Sequence, residues 1–410
     1  MRATGFASLF LPALAATAAL FACGDDPAAT DTPATPDASD VDARSDAADT
    51  PLDAGADDDG ASDAEADTDA DVPPKTCSDD GWCHTPVPPE QVLRDVWSDG
   101  AGGSWAVSDQ GAILRYDGTA WSVVHTYAAN DPRLVSIWGS GPTDIWVGAY
   151  GAILHGTGAT PASIAWTEIA LDQLAPGAGA VSIYGTSKSD VFAAVRTAVL
   201  RLGEDEATWE VDPVTSEIAG TAVSVWGRSG ASDVWITSQN ATTRRSVLFH
   251  RSGGAESSFT PVTGVSEVPF SVVGRACATA GEPRRGWMVD DETLWLVGTR
   301  INFTFTCHYA FRGVARADAG DTDAGAFAFD GRVFYDPYLG QNDIWGSATN
   351  DVWLAGDYGT LHHWDGATWQ LAGITVGAHP VKKNLNAIHG RGPGNIWVVG
   401  DGIALRKGTP

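Results

Sequence analysis

The chain has 410 residues with 52 acidic and 25 basic side chains, a formal net charge of −27. A surface that acidic has no electrostatic footprint for a phosphate backbone, which excludes nucleic acid as a partner. At 43 % hydrophobic residues the chain is only modestly apolar.

Residues 1–22 read as a secretory signal peptide: Arg2 is followed by a weakly apolar Ala/Leu/Phe run over residues 5–22. Pro12 and the marginal length count against a spanning helix. Leu20-Phe21-Ala22-Cys23 resembles the lipobox of bacterial lipoproteins, where cleavage ahead of the cysteine exposes a thiol that is then diacylated. That resemblance implies a lipid on Cys23. Two acyl chains anchor stably where one is marginal, so the expected address is extracytoplasmic, on a membrane face in the periplasm or at the cell surface.

Residues 23–75 form the second segment. From Gly24 onward it is built of Asp, Ala, Thr and Pro, with seventeen acids against Arg44 alone before Lys75. It lacks the apolar side chains that would offset ordering entropy, so a disordered linker is expected. Asp67-Thr68-Asp69-Ala70-Asp71 alternates like a calcium loop. An EF-hand needs Gly at the sixth place and Glu at the twelfth, where this chain has Val72 and Ser78.

Residues 76–410 repeat one unit, clearest at residues 341–373, QNDIWGSATNDVWLAGDYGTLHHWDGATWQLAG. Its four apolar runs are too short for helices, rich in Ile, Val, Leu and Trp, and separated by turn residues, so each reads as a strand. Four antiparallel strands at a period in the forties are the signature of a β-propeller blade. Units fall at residues 93–124, 134–169, 180–212, 222–262, 270–337 (enlarged by insertions), 341–373 and 385–407. The seventh lacks a strand. Asp80-Gly81-Trp82 repeats the Asp117-Gly118…Trp121 pattern, so the N-terminal segment is expected to supply the outer strand of the last blade and leave no open sheet edge. The fold class is therefore all-β, a seven-bladed propeller closed by its N-terminal strand.

Aligned, the units carry an aromatic in the second strand (Trp105, Trp146, Phe192, Trp235, Trp295, Trp353, Trp397). The first strand has Trp97, Trp138, Tyr184, Trp226 and Trp345, with Val273 and His389 as exceptions. The fourth has Trp121, Trp166, Trp209, Phe259, Phe334, Trp369 and Trp82. A residue repeated in every blade is most simply inter-blade packing. The third strand ends on a basic or imidazole group in all seven: Arg115, His155, Arg201, His250, Arg312, His363, Arg406. Catalysis needs one constellation and not seven, so these are expected to lie over the Trp rings and donate to turn carbonyls. The residue before the second strand (Asp144, Asp190, Asp233, Asp351, Asn395) is expected to bond amides of the preceding turn.

The consensus I/V-W-G-S-x-x-x-D-I/V-W-x-x-G-x-x-G-x-I/L-L-H/R-x-D-G-x-x-W resembles the repeats of secreted myxobacterial-type lipoproteins. It is also similar to the BNR/Asp-box and kelch-like propeller groups, over residues 76–410. Its Asp-Gly-x-x-Trp turn departs from the full Asp-box, Ser/Thr-x-Asp-x-Gly-x-Thr-Trp, which weakens a sialidase inference.

Ligand sites on propellers collect where the loops between blades meet the turns between the second and third strands. There the chain offers Arg133, Tyr150, Arg196, Arg244, Arg245, Arg300, Asp357 and Tyr358 as candidate ligand-binding residues, with Lys382 and Lys383 nearby. Arg228, Arg275 and Arg391 align just after the first strand and face the other side. No zinc signature, nucleophile elbow or P-loop is present, and no catalytic residue, metal ligand or cofactor is assigned. His362 and His363 are adjacent on a strand and point to opposite faces. Beyond Cys23, four cysteines in an oxidising compartment suggest the pairs Cys77–Cys83 and Cys277–Cys307. The reading is a monomeric, lipid-anchored, non-catalytic binding or scaffold protein whose partner is an envelope protein or glycan. Two alternatives stand beside it: a carbohydrate-active enzyme, and an assembly factor for an envelope complex.

Overall fold

The computed structural model describes residues 76–408 except 101, 229, 244, 255–256, 263–281, 303–304, 317–326, 337–338 and 378. Seven four-stranded antiparallel sheets follow one another along the chain, and the first six run in sequence order from inner to outer strand. The seventh is completed by Trp82–His84, which pairs with Ile403–Lys407 in the register Trp82↔Lys407. Cys83, within this closing strand, is joined to Cys77 in a disulfide. Of the second expected pair, Cys277 and the Cys307 side chain lie outside the described residues. Among the described residues no helix is long and apolar enough to cross a membrane.

Blades are held together by a cycle of edge-on rings. The outer-strand aromatic of each blade packs against the second-strand ring of the blade before it. Trp166 meets Trp105, Trp209 meets Trp146, Phe259 meets Phe192, Trp369 meets Trp295, Trp82 meets Trp353 and Trp121 meets Trp397, with centroids 5.2–6.5 Å apart. T-shaped pairs of this kind add about 0.5–1.5 kcal/mol each beyond area burial. In the enlarged fifth blade the ring against Trp235 is Phe327 and not Phe334. That strand spans Phe327–Asp336, and the packing ring stands at its start, as Trp121, Trp209 and Trp369 do in theirs.

The fifth blade also corrects the first-strand alignment. Its inner strand is Glu282–Met288, and Trp287 pairs with Trp295 as Trp97 does with Trp105. Trp287, not Val273, therefore fills the aromatic position, and Val273 and Arg275 lie outside the described residues. Val289 consequently stands where Arg275 was expected to align with Arg228 and Arg391. The second and third strands, Thr293–Asn302 and Phe305–Ala315, are about twice the usual length.

All seven basic or imidazole groups oppose the second-strand aromatic. The His155, His250 and His363 rings stack on Trp146, Trp235 and Trp353 at 3.5–4.1 Å, while Arg115 and Arg406 lie over Trp105 and Trp397. For the three histidines, however, the hydrogen-bond acceptor is the aspartate before the second strand and not a turn carbonyl. His155 Nε2 is 2.6 Å from Asp144, and His250 and His363 are 2.9 Å from Asp233 and Asp351. Asp351 also accepts from Trp353 Nε1 at 2.7 Å and from Ser347. Asp190 is held by Arg251 of the next blade. These aspartates thus bond side chains, correcting the expected turn-amide role: the ring stacked on the second-strand indole, or Arg251 in the case of Asp190, places an N–H at the carboxylate. Turn amides are served by the other aspartates. Asp117 accepts from Thr119 N and Ala120 N, and Asp365 from Ala367 N and Thr368 N, with Gly118 and Gly366 at φ 106° and 98°.

Candidate functional site

The inner strands surround an axial channel. Two residues before each first-strand aromatic, one side chain points to the next blade, giving the ring Asp95, Ser136, Ser182, Ser224, Arg285, Asp343 and Ala387. Five of these bond a neighbouring inner strand. Ser136 Oγ accepts from Ile183 N and donates to Val181 O, and Ser182 Oγ accepts from Val225 N. Ser224 donates to Arg284 O, while Asp95 accepts from Ile137 N and Asp343 from Ile388 N, both at 2.9 Å. Asp95 Oδ1 additionally accepts from Val96 N, the amide that Ala387 of the preceding blade has no group to reach. Arg285 is the exception in the ring that carries a charge yet bonds no neighbouring backbone among the described residues. Its Nη1 lies 3.6 Å from Asp95 Oδ1 and 3.4 Å from Asp343 Oδ2. Both distances exceed the 2.7–2.9 Å usual for a charge-assisted hydrogen bond.

This ring is a waist between two chambers. The lower, about 100 Å³, is walled by Trp97, Trp138, Tyr184, Trp226, Trp287 and His389. The upper, about 440 Å³, opens to the face predicted to bind ligand and is lined by Arg94, Asp109, Arg133, Tyr150, Arg284, Asn342 and Asn386 among others. Ser136, Ser182, Ser224 and Arg285 border both. Burial raises the Asp95 carboxyl to about 6, with Arg285 opposing that shift and Asp343 adding to it. Burial raises Asp343 as well, again opposed by Arg285. Below, the half-buried His389 is pushed down to about 3 by desolvation and by Arg391, and its neutral Nδ1 accepts from Ser98 N.

Of the predicted ligand-binding residues, Arg133 and Tyr150 meet at the upper mouth, the guanidinium 3.9 Å above the phenol ring. Asp131 is hydrogen-bonded to Arg133 and raises its pKa further. Arg196 and Arg245 are exposed on the same set of turns but do not line the chamber. Asp357 is a turn residue, accepting from Gly340 N and Asn342 Nδ2. Tyr358 is 68 % exposed and adopts φ 53° at a turn tip. Arg300 is not in a loop: it lies within Thr293–Asn302, opposite Cys307, because that hairpin is lengthened. The Arg300 side chain and Arg244 lie outside the described residues. The structure thus brings two predicted residues together and joins to them Arg94, Arg284 and Arg285, which were not singled out. Arg94 forms an ion pair with Asp109. The missed signal was available in the register: two places before Trp287 stands Arg285, where three sister blades have Ser. Among the described residues, no group of three His, Cys, Asp or Glu side chains is placed to hold a metal.

No family model and no curated protein matches the sequence. Solved structures do. The chain is similar to YCF48 bound to D1 peptide, with a TM-score of 0.56 and 18 % identity over 82 % of this chain and 100 % of that one. It is similar to YCF48 from Cyanidioschyzon merolae, with a TM-score of 0.55 and 19 % identity over 80 % and 98 % of the two chains. Virginiamycin B lyase from Staphylococcus aureus gives a TM-score of 0.53 at 12 % identity over 79 % and 98 %. At these identities the likeness establishes the fold alone.

Proposed function

We propose that this protein is a non-catalytic binding or scaffold propeller, lipid-anchored through Cys23 at the cell envelope, that receives an acidic segment of a partner protein at the mouth of its channel. One observation carries the reading. In a chain of net charge −27, Arg94, Arg133, Arg284 and Arg285 converge on one open chamber of about 440 Å³, with Arg94 and Arg133 paired to Asp109 and Asp131 and Arg285 set between Asp95 and Asp343. Cations gathered at a concave mouth attract and orient anionic groups. A structurally similar propeller was solved with a peptide bound, which supports a polypeptide ligand for this one.

The carbohydrate-active alternative requires a free carboxylate pair. The waist of the channel presents two, Asp95 and Asp343, but each accepts a backbone N–H from the next blade, and Asp109 in the upper chamber is paired with Arg94. The test uses the mature protein immobilised and exposed to solubilised envelope, with bound material identified by mass. A stoichiometric protein partner, released by salt and lost with Arg94→Glu plus Arg133→Glu, is the expected result. A glycan returned shortened would sink the non-catalytic reading. Lipidation is checked separately: Cys23→Ser should move the protein from the membrane to the soluble fraction.

A further inference from the structure

The waist of the channel breaks the sevenfold pattern at one charged residue. Asp95 is fixed by Ile137 N and Val96 N, and Asp343 by Ile388 N. Their orientations are set by backbone, whichever way the arginine turns. Arg285 has no such tether. It is held between two carboxylates at 3.4 and 3.6 Å, its side chain is 31 % exposed, and it borders both chambers. In three sister blades a serine at this position bonds the next inner strand, so blade five gives up that bond to place a guanidinium in the channel. A guanidinium presents five donors in a planar fork suited to a carboxylate.

We propose that Arg285 is a carboxylate-binding residue at the channel waist, which exchanges its loose contacts with Asp95 and Asp343 for a bidentate pair with a carboxylate entering from the upper mouth. The proposal deepens the reading of the channel as a site for acidic ligands, and rests on it. Arg94, Arg133 and Arg284 line the route in, with Asp109 paired to Arg94. The chamber below is walled by indole and phenol rings and the uncharged His389, and the cation beside them, Arg391, lies over Trp97 and donates to Ser98 O.

Two negative charges beside Arg285 oppose an incoming anion. Asp95 titrates near 6, which falls between the carboxylate range of the ligand and neutral pH. Protonating Asp95 removes one competitor while the ligand stays ionised. Affinity should therefore rise as pH falls, by at most tenfold per unit and about tenfold between pH 7.5 and 5.5. Of the charged groups beside Asp95, Arg285 stays charged throughout and Asp343 is shifted in the same direction as Asp95; Tyr184 and His389, which line the chamber below, are neutral across that window.

The test is calorimetric titration of the full chain at pH 7.5 and 5.5 with two probes. One is succinate. The other is a peptide of alternating Ala and Asp, blocked at both ends. Binding of either supports a carboxylate site, and a preference between them assigns the source to a small acid or to a polypeptide. Arg285→Ser, which installs the residue of the sister blades, should weaken binding at least tenfold. Arg285→Lys should recover part of it, and Asp95→Asn should bind about tenfold tighter at pH 7.5 with a flattened pH profile. Arg285→Ser binding as tightly as the wild type overturns the proposal, whether or not Asp95→Asn folds. If the peptide then depends on Arg94 and Arg133 alone, the inference fails while the proposed function stands. If neither probe binds the wild type at either pH and no envelope partner is captured, both fail.

Discussion

A single ring position decides how the channel behaves, and Asp95 shows the cost of placing a carboxylate there. Its folded-state value near 6 stands above the unfolded value of 3.8. Between those two values the folded state binds more protons than the unfolded one, so the group's stabilising contribution is present at low pH and lost as pH rises through 6. The size is about 3 kcal/mol at most. Asp144 and Asp190 have the opposite sign. Side-chain hydrogen bonds hold them below the usual carboxylate value despite burial, and their contribution is lost on acidification. Urea unfolding of Asp95→Asn and wild type in parallel separates the two. The difference should shift in the variant's favour by about 2–3 kcal/mol from pH 4 to 7, and a pH-independent difference would refute the assignment.

Within each blade the inner strand has to pass an indole beneath its neighbour, and glycine makes the room. A Cβ on Gly139 would stand 2.9 Å from Trp97, one on Gly185 2.7 Å from Trp138, and one on Gly390 2.8 Å from Trp345. Where the preceding ring is the smaller His389, the position holds Ser98, fully buried, instead of glycine. In blade five Met288 occupies it, and Trp226 instead stacks on Trp235 and lies against Gly286. His389→Trp should accordingly destabilise the fold by about 1–3 kcal/mol through overpacking. Adding Ser98→Gly should recover part of that loss, a coupling readable in a double-mutant cycle by thermal unfolding. This element scale is where the sequence reads well and where it fails. Strand repeats, the aromatic triplets and the opposing basic ring follow from period and spacing, because each blade repeats the same packing problem. Blade five does not, since its long hairpin and insertions move the aromatic marker to Trp287. Only the strand Glu282–Met288, with Trp287 opposite Trp295, assigns Arg285 to the ring. Arg133 and Tyr150 were legible because loop position alone places them. Arg94, Arg284 and the waist were not, because a charged residue on an inner strand takes its meaning from register.

Across the whole molecule, stability depends on closing the ring. The closing strand is three residues long, yet Trp82 is completely buried, T-stacked on Trp353 with centroids 5.2 Å apart and with Lys407 close to both rings. Trp82→Ala should cost about 3–5 kcal/mol, visible as a lowered urea midpoint. Removing the disulfide by Cys77→Ser with Cys83→Ser should cost only about 2 kcal/mol, given the short loop it closes. If the disulfide variant proved the weaker of the two, the packed indole would not be the keystone. Both ends of the propeller meet in this one blade: Thr85 N donates to Ala404 O, and Trp82 pairs with Lys407. Any mechanical load arriving through the residues before Thr76 therefore falls first on the outermost, shortest strand of blade seven. The Cys77–Cys83 loop is covalent and does not lengthen under that pull. The first element to peel is Trp82–His84, so the ring should rupture at its seam under tension while the six other sheets remain folded.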